Sequence, residues 1–197
     1  MFKVNKTEEP QFFKDYKKRN NPKSWKDFSY DIKRQLKEYM FENEYEYKNE
    51  EGSYCPYCEL KINLENSQIE HIYPKDRFPK EFDKYSNYIV CCIQPLTCGQ
   101  SKRNKWDDNF IDPTKEDPEK YLEYNLSSGE IIPKEKDESK LEYKKAKLTI
   151  DLLNLNQKKL RDIRKKFILE CLGTLNYVKD YDQFPTLRNQ IIRDYNL

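Results

Sequence analysis

Histidine is almost missing from this chain. Among its 197 residues only His71 carries an imidazole. A Cys2His2 zinc finger needs two histidines, so that module is excluded at once. No apolar run approaches the roughly 18 residues of a membrane span, and the opening Met1-Phe2-Lys3-Val4-Asn5-Lys6 has no apolar core of a signal peptide. A cytoplasmic location is therefore expected. Internal repeats and low-complexity segments are absent, which excludes solenoids and repeat arrays. Net charge is scarce as well: 37 basic and 35 acidic side chains leave +2. The mean hydropathy of −1.12 is low, yet 14% of the residues are aromatic, which a folded core needs and a disordered chain lacks.

What is present is concentrated. Five of the six cysteines and the one histidine fall between Cys55 and Cys98. In a reducing compartment such clustering points to metal binding or redox chemistry before structural disulfides. Cys55-Pro56-Tyr57-Cys58 is also the active-site string of glutaredoxins. There it follows a buried strand and opens a helix, whereas here it follows Glu50-Glu51-Gly52-Ser53 and precedes sequence punctuated by Pro and Asn. A zinc module with His71 as third ligand is a second alternative. The arrangement favoured by spacing is four thiolates in two pairs, Cys55 with Cys58 and Cys92 with Cys98, holding Zn²⁺. Strand alternation puts Cys91 and Cys92 on opposite faces, so only one of them ligates, and Cys91 stays as the alternative.

The remaining pattern gives an element plan. Trp25, Phe28, Ile32, Leu36 and Met40 recur at helical spacing after Ser24, predicting a helix over 25 to about 45 with Ser24 as its cap. Short apolar bursts at 69–73 and 88–93 predict two strands, and 121–126 with 130–132 a hairpin across Ser127-Ser128-Gly129. Leu141, Leu148 and Leu152, then Leu160, Ile163, Phe167, Cys171 and Leu175, predict two helices broken near Asn154–Asn156, and a last short helix follows Pro185. The fold class is α+β, organised as an N-terminal helical extension (1–54), a central zinc-bound core with the hairpin (55–133) and a C-terminal helical region (134–197), all in one compact unit. Charge is uneven across these segments, with the middle at net −4 and the tail at +5. Attraction for a polyanion must then come from outside the centre, from the C-terminal helices or a partner. Lys158, Lys159, Arg161, Arg164, Lys165 and Lys166 could serve, or they form only the solvated face of a packed helix.

With sulfur satisfying zinc, Glu70 and His71 are free for chemistry. A neutral imidazole is a good general base for water, and the carboxylate beside it suits a hard cation such as Mg²⁺. Adjacent strand residues face opposite ways, so a local distortion is expected to bring both to one site.

The order Cys-x-x-Cys, Glu70-His71-Ile72-x-Pro74, Asn87, Cys92, Cys98 and Lys102 resembles the zinc-stabilised form of the HNH (ββα-metal) nuclease motif. More closely, Ile69-Glu70-His71-Ile72-Tyr73-Pro74-Lys75, Phe82-Asp83-x-x-x-Asn87, Asp112-Pro113, Gly129-x-Ile131-x-Pro133, Leu153-Asn154-Leu155-Asn156 before Leu160 and Arg164, and Val4-x-Lys6 with Ser24-Trp25 are similar to the PtuB family of Septu and retron-linked phage defence. The resemblance spans nearly the whole chain. It implies an endonuclease with a ββα-metal core between helical extensions, structural Zn²⁺, catalytic Mg²⁺ or Mn²⁺, a nucleic-acid substrate with DNA expected ahead of RNA, and a PtuA-like ABC-type ATPase partner. His71 matches the general base, Glu70 the acidic metal ligand more often seen as Asp, Asn87 the brace of the loop presenting the histidine, and Lys102 a basic residue near the phosphate. Directly after the last cysteine such proteins commonly carry Asn, but here Gly99 stands, so Gln100 or Asn104 is expected to supply the second metal ligand. The alternative is a non-catalytic zinc-binding adaptor or nucleic-acid-binding module of the same complex.

Overall fold

The computed structural model describes residues Met1–Leu197. The N-terminal segment folds as α1 (Gln11–Asn20) and α2 (Tyr30–Asn43). The helix expected from residue 25 is interrupted: Trp25–Asp27 is a single 3-10 turn closed by a Ser24–Asp27 capping box, and α2 starts anew at Tyr30. Its cap is Ser29, whose hydroxyl accepts from the Ile32 amide at 3.3 Å, instead of Ser24. Apolar periodicity runs straight through the break because Trp25 and Phe28 pack on the same core as Ile32 and Leu36, which hides the boundary.

Three small antiparallel sheets follow. β1 (Lys48–Asn49), β2 (Gly52–Tyr54) and β3 (Lys61–Ile62) form the first, with the Cys55–Cys58 turn between β2 and β3. β4 (Ser67–His71) pairs with β5 (Tyr88–Cys92) in a register that sets Gln68 opposite Cys91 and His71 opposite Tyr88. A five-residue helix α3 (Cys98–Lys102) packs on β5. β6 (Leu122–Asn125) and β7 (Glu130–Pro133) make the expected hairpin, turned by Gly129 at φ 74°, a left-handed conformation that glycine adopts without penalty. The tail is α4 (Leu141–Leu152), α5 (Lys158–Gly173) and α6 (Pro185–Asp194), with the break where the sequence places it. No helix is long and apolar enough to cross a membrane.

One buried cluster runs through all three segments, from Phe2 and Leu36 through Tyr57, Tyr88 and Ile89 to Phe167 and Ile191. Polar ties reinforce it. The Met1 ammonium and the Glu59 carboxylate form a fully buried ion pair, with Tyr124 and Thr186 hydroxyls on the same carboxylate. Arg164, also fully buried, donates to the Leu155 carbonyl at 2.9 Å, which fixes the loop between α4 and α5. A two-stranded sheet leaves two open edges, and unpaired backbone groups there are costly when buried. On the β5 side the Tyr45 hydroxyl fills that role, accepting from the Val90 amide and donating to the Val90 carbonyl, both at 2.6 Å.

Replacing Tyr45 with Phe therefore strands two buried backbone groups at once. We expect Tyr45→Phe to lower unfolding free energy by about 2 kcal/mol, measured by denaturant titration with unchanged slope. A loss under a few tenths would show that water replaces the hydroxyl.

Candidate active site

Four thiols converge from three stretches of chain. Cys55 and Cys58 sit in the turn between β2 and β3, Cys92 ends β5, and Cys98 opens α3; their Sγ atoms all lie within 4.8 Å of one another and are buried. Cys55 and Cys98 are 3.8 Å apart, Cys58 and Cys92 3.7 Å. Sulfurs at about 2.3 Å from a tetrahedral ion are separated by about 3.8 Å, so the cage fits a metal such as zinc and is far too open for disulfides. The five-residue loop between Cys92 and Cys98 is accommodated by left-handed backbone at Leu96 (φ 63°) and Cys98 (φ 51°). The end of α4 pins that loop: the Leu153 carbonyl accepts from the Cys98 amide at 2.8 Å and the Thr97 hydroxyl at 3.2 Å. Cys91 lies outside the cage. Its thiol is on the other face of β5, 3.8 Å from the Gln68 amide nitrogen.

The edge of β4 away from β5 is open, and a cleft of about 340 Å³ straddles it. Gln68 and Glu70 reach it from one face of the strand, toward α3, while Ile69 and His71 reach it from the other, toward Trp25. No distortion of β4 is needed, and pairing with β5 is regular through His71. The expectation of a distorted strand is corrected by the cleft's position: at an open edge both faces are available.

His71 is 7% exposed, with Trp25 and Tyr88 rings edge-on at 4.6 and 5.1 Å. Its Nε2 is 3.1 Å from the Phe82 carbonyl, an acceptor only, so Nε2 carries the proton and Nδ1 keeps its lone pair. Burial holds this imidazole down to about 4, with the cations of Lys75 and Lys102 adding to the effect and the Phe82 hydrogen bond opposing it. At neutral pH it is an uncharged base. Asn87 fixes the surroundings: its side chain accepts from the Tyr73 amide at 2.7 Å and donates to the Tyr73 and Glu81 carbonyls, each at 3.0 Å. The Phe82 carbonyl that orients His71 is the next one along from Glu81.

Glu70 is 8% exposed, and burial raises its carboxyl above the usual range, against the pull of Lys102. Lys102 is 0% exposed. Its ammonium donates to Glu70 Oε1 at 2.8 Å and to the His71 carbonyl at 2.9 Å, which ties both residues to α3 from behind. The other oxygen, Oε2, faces Gly99. A Cβ there would stand 2.7 Å from it, 2.7 Å from Gln68 Nε2 and 3.1 Å from Cys91 Sγ, so no larger residue fits without displacing the carboxylate. The longer Glu occupies the room that a side chain at 99 would need. Gln100 and Asn104 border the cleft, but neither touches Glu70: Gln100 donates to Gln68 at 2.9 Å and Asn104 to Asp76 at 2.7 Å. Gln68, Trp25, Lys75 and Arg103 also line it and were missed from sequence. Of these, only Gln68 carried a signal, lying two residues before Glu70 on the same strand face.

No family model matches the chain. Its sequence is 36% identical over 138 residues to the inferred HNH endonuclease of retron Vc95 from Vibrio cholerae, covering 66% of this chain and 64% of that protein. It is 24% identical over 251 residues to the inferred HNH endonuclease of retron Ec83 from Escherichia coli, covering 98% and 95%. It is 26% identical over 110 residues to the Septu protein PtuB of Bacillus thuringiensis, covering 52% and 37%. The chain is thus a relative of proteins named as HNH endonucleases. More narrowly, the proteins it is similar to are named for retron and Septu systems, and the chain spans less than two thirds of the length of the first of them.

Because the chain has one histidine, nuclear magnetic resonance should show a single imidazole, protonated at Nε2 and titrating near 4 instead of 6.5. The unfolded chain takes up that proton first as pH falls, so the contribution of His71 to stability is whole above about 6.5 and declines toward 4. A midpoint at 6 or above would overturn the buried-base geometry.

Proposed function

We propose that this protein is a metal-dependent endonuclease of the HNH type, hydrolysing phosphodiester bonds in nucleic acid as part of a retron- or Septu-type defence system. The observation that carries the reading is the pairing in one cleft of a neutral imidazole, its Nδ1 unprotonated, with a carboxylate beside it. Support for a ββα-metal core comes from the order β4, β5, α3 behind that cleft and from the names of the relatives.

The roles follow from the contacts. His71 takes a proton from water at Nδ1, since the Phe82 carbonyl occupies Nε2 and burial keeps the ring neutral. Asn87 keeps the Phe82 segment and the Tyr73 turn in place around the ring. Glu70 would hold Mg²⁺ or Mn²⁺ through the oxygen not committed to Lys102, with Gln68, Gln100 or Asn104 as amide neighbours. Such a cation, when bound, neutralises charge developing on the scissile phosphate. Lys102 is a positioning residue, aiming the carboxylate from behind. The four-cysteine cage would hold Zn²⁺ as scaffold. The resemblance to PtuB supports an ABC-type, PtuA-like ATPase partner and DNA ahead of RNA as substrate.

One observation favours the second reading, a non-catalytic adaptor. The Lys102 ammonium already balances Glu70, and Gly99 brings no ligand atom, so the carboxylate is paired without a divalent cation.

Cleavage decides between the two readings. The purified chain, with and without its ATPase partner, should cut DNA only with Mg²⁺ or Mn²⁺, and His71→Ala should reduce the rate by roughly 10²- to 10⁴-fold while bound zinc is unchanged. Undiminished cutting by that variant sinks the assignment of His71, and no cutting by the wild type under any condition favours the adaptor. Metal analysis tests the cage separately: Cys91→Ser should retain one zinc per chain, whereas Cys92→Ser should lose it and the cooperative unfolding transition with it.

A further inference from the structure

The cations nearest the His71 cleft do not come from the basic tail. A second groove of about 300 Å³ adjoins the cleft and shares Trp25, Gln68 and Ile69 with it; its far wall is Tyr30, Lys33, Arg34 and Lys37 of α2. Lys75 and Arg103 stand at the other end, across Glu70 and His71. Along the combined path five cations meet a single carboxylate, Glu70, in a chain whose net charge is only +2. Opposing acids are few. Arg34 is shared with Glu65 at 2.9 Å and Glu38 at 3.2 Å, Lys75 approaches Asp76 at 3.9 Å, and the Lys37 ammonium donates to the Leu64 and Ser67 carbonyls, while Lys33 and Arg103 have no carboxylate partner. The Lys33 ammonium lies 5.0 Å from the Trp25 ring centre. Tyr30, at the start of α2 beside Lys33 and Arg34, is 68% exposed.

The tail is otherwise engaged. Arg161 pairs with Glu130 at 2.8 Å, Arg164 is sealed inside, and none of the cations of α5 borders the cleft or the groove.

We propose that a single strand of nucleic acid runs along this path, its phosphates against Lys33 and Arg103 and an unpaired base stacked on Tyr30. A row of cations tracks one backbone, and an exposed ring takes up a base face that a duplex keeps stacked inside. The substrate surface then includes α2, outside the cysteine region. This rests on the nuclease reading of His71 and deepens it by naming the strand's route.

The test is fluorescence anisotropy of a labelled 20-nucleotide single strand, and of the matching duplex, with full-length His71→Ala protein over a range of salt. Lys33→Glu should weaken single-strand binding at least tenfold and lower the salt slope by about 0.7 or more. Tyr30→Ala should weaken it roughly fivefold or more and leave duplex binding unchanged. Lys166→Glu, an exposed charge reversal on α5, should change neither by more than twofold. All four positions but His71 are on the surface, and circular dichroism confirms folding. Indifference to Lys33→Glu and Tyr30→Ala, absence of binding, or tighter binding of the duplex would overturn the route. If the wild type cleaves yet its binding ignores α2, the route fails and the nuclease stands; if single strands bind through α2 but nothing is ever cut, the nuclease reading fails and the route stands.

Discussion

Convergence of four thiols is the constraint on which the rest depends. Strands of two to five residues in separate two- and three-stranded sheets cannot sustain themselves in water. Here the turn between β2 and β3, the end of β5 and the start of α3 are drawn to one point by Cys55, Cys58, Cys92 and Cys98. An ion bound there contributes folding free energy outright, because its ligand set does not exist in the unfolded chain. The placement of the cleft follows. With Cys92 and Cys98 fixed, α3 must lie across β5, and Lys102 and Gly99 are thereby brought against Glu70.

Around that point the helical segments act as a jacket and as a source of parts. Trp25 forms a wall of the His71 cleft, Tyr45 closes the edge of β5, and the end of α4 holds the loop before Cys98. A histidine kept neutral by burial needs apolar surroundings, and here one ring, Trp25, comes from outside the cysteine region and another, Tyr88, from within it. The N-terminal segment therefore shapes the surroundings of His71 as well as covering the core.

Legibility in the sequence followed the range of the interaction. Short-range rules were readable: alternation separated Cys91 from Cys92, periodicity found β4, β5, the hairpin and the last three helices but not the short β1, β2 and β3, and the Asn154–Asn156 break fell where the pattern lapsed. Helix α1 was not read, because its ten residues are mostly polar and bury only Phe13. Ser24 reads as the cap because it precedes apolar residues in phase, and Ser29 becomes the cap of α2 only through the backbone break after Asp27. Long-range matters were out of reach. Lys102 is expected near a phosphate from the resemblance, and its burial behind Glu70 becomes visible only once α3 is docked, while the cations that α2 brings beside the cleft depend on which helix lies next to β4.

Gly99 and Glu70 carry a consequence for how such a site can change over generations. The space between strand and helix is a fixed quantity divided between two positions, with all of it now given to residue 70. Lengthening residue 99 first drives a side chain into the carboxylate, and shortening residue 70 first opens a gap and pulls the oxygen back from the cleft. Because a Cβ at 99 meets the ends of two flexible side chains, Glu70 and Gln68, they can shift to receive it, so the effect of a change at 99 depends on what stands at 70 and the two positions are coupled.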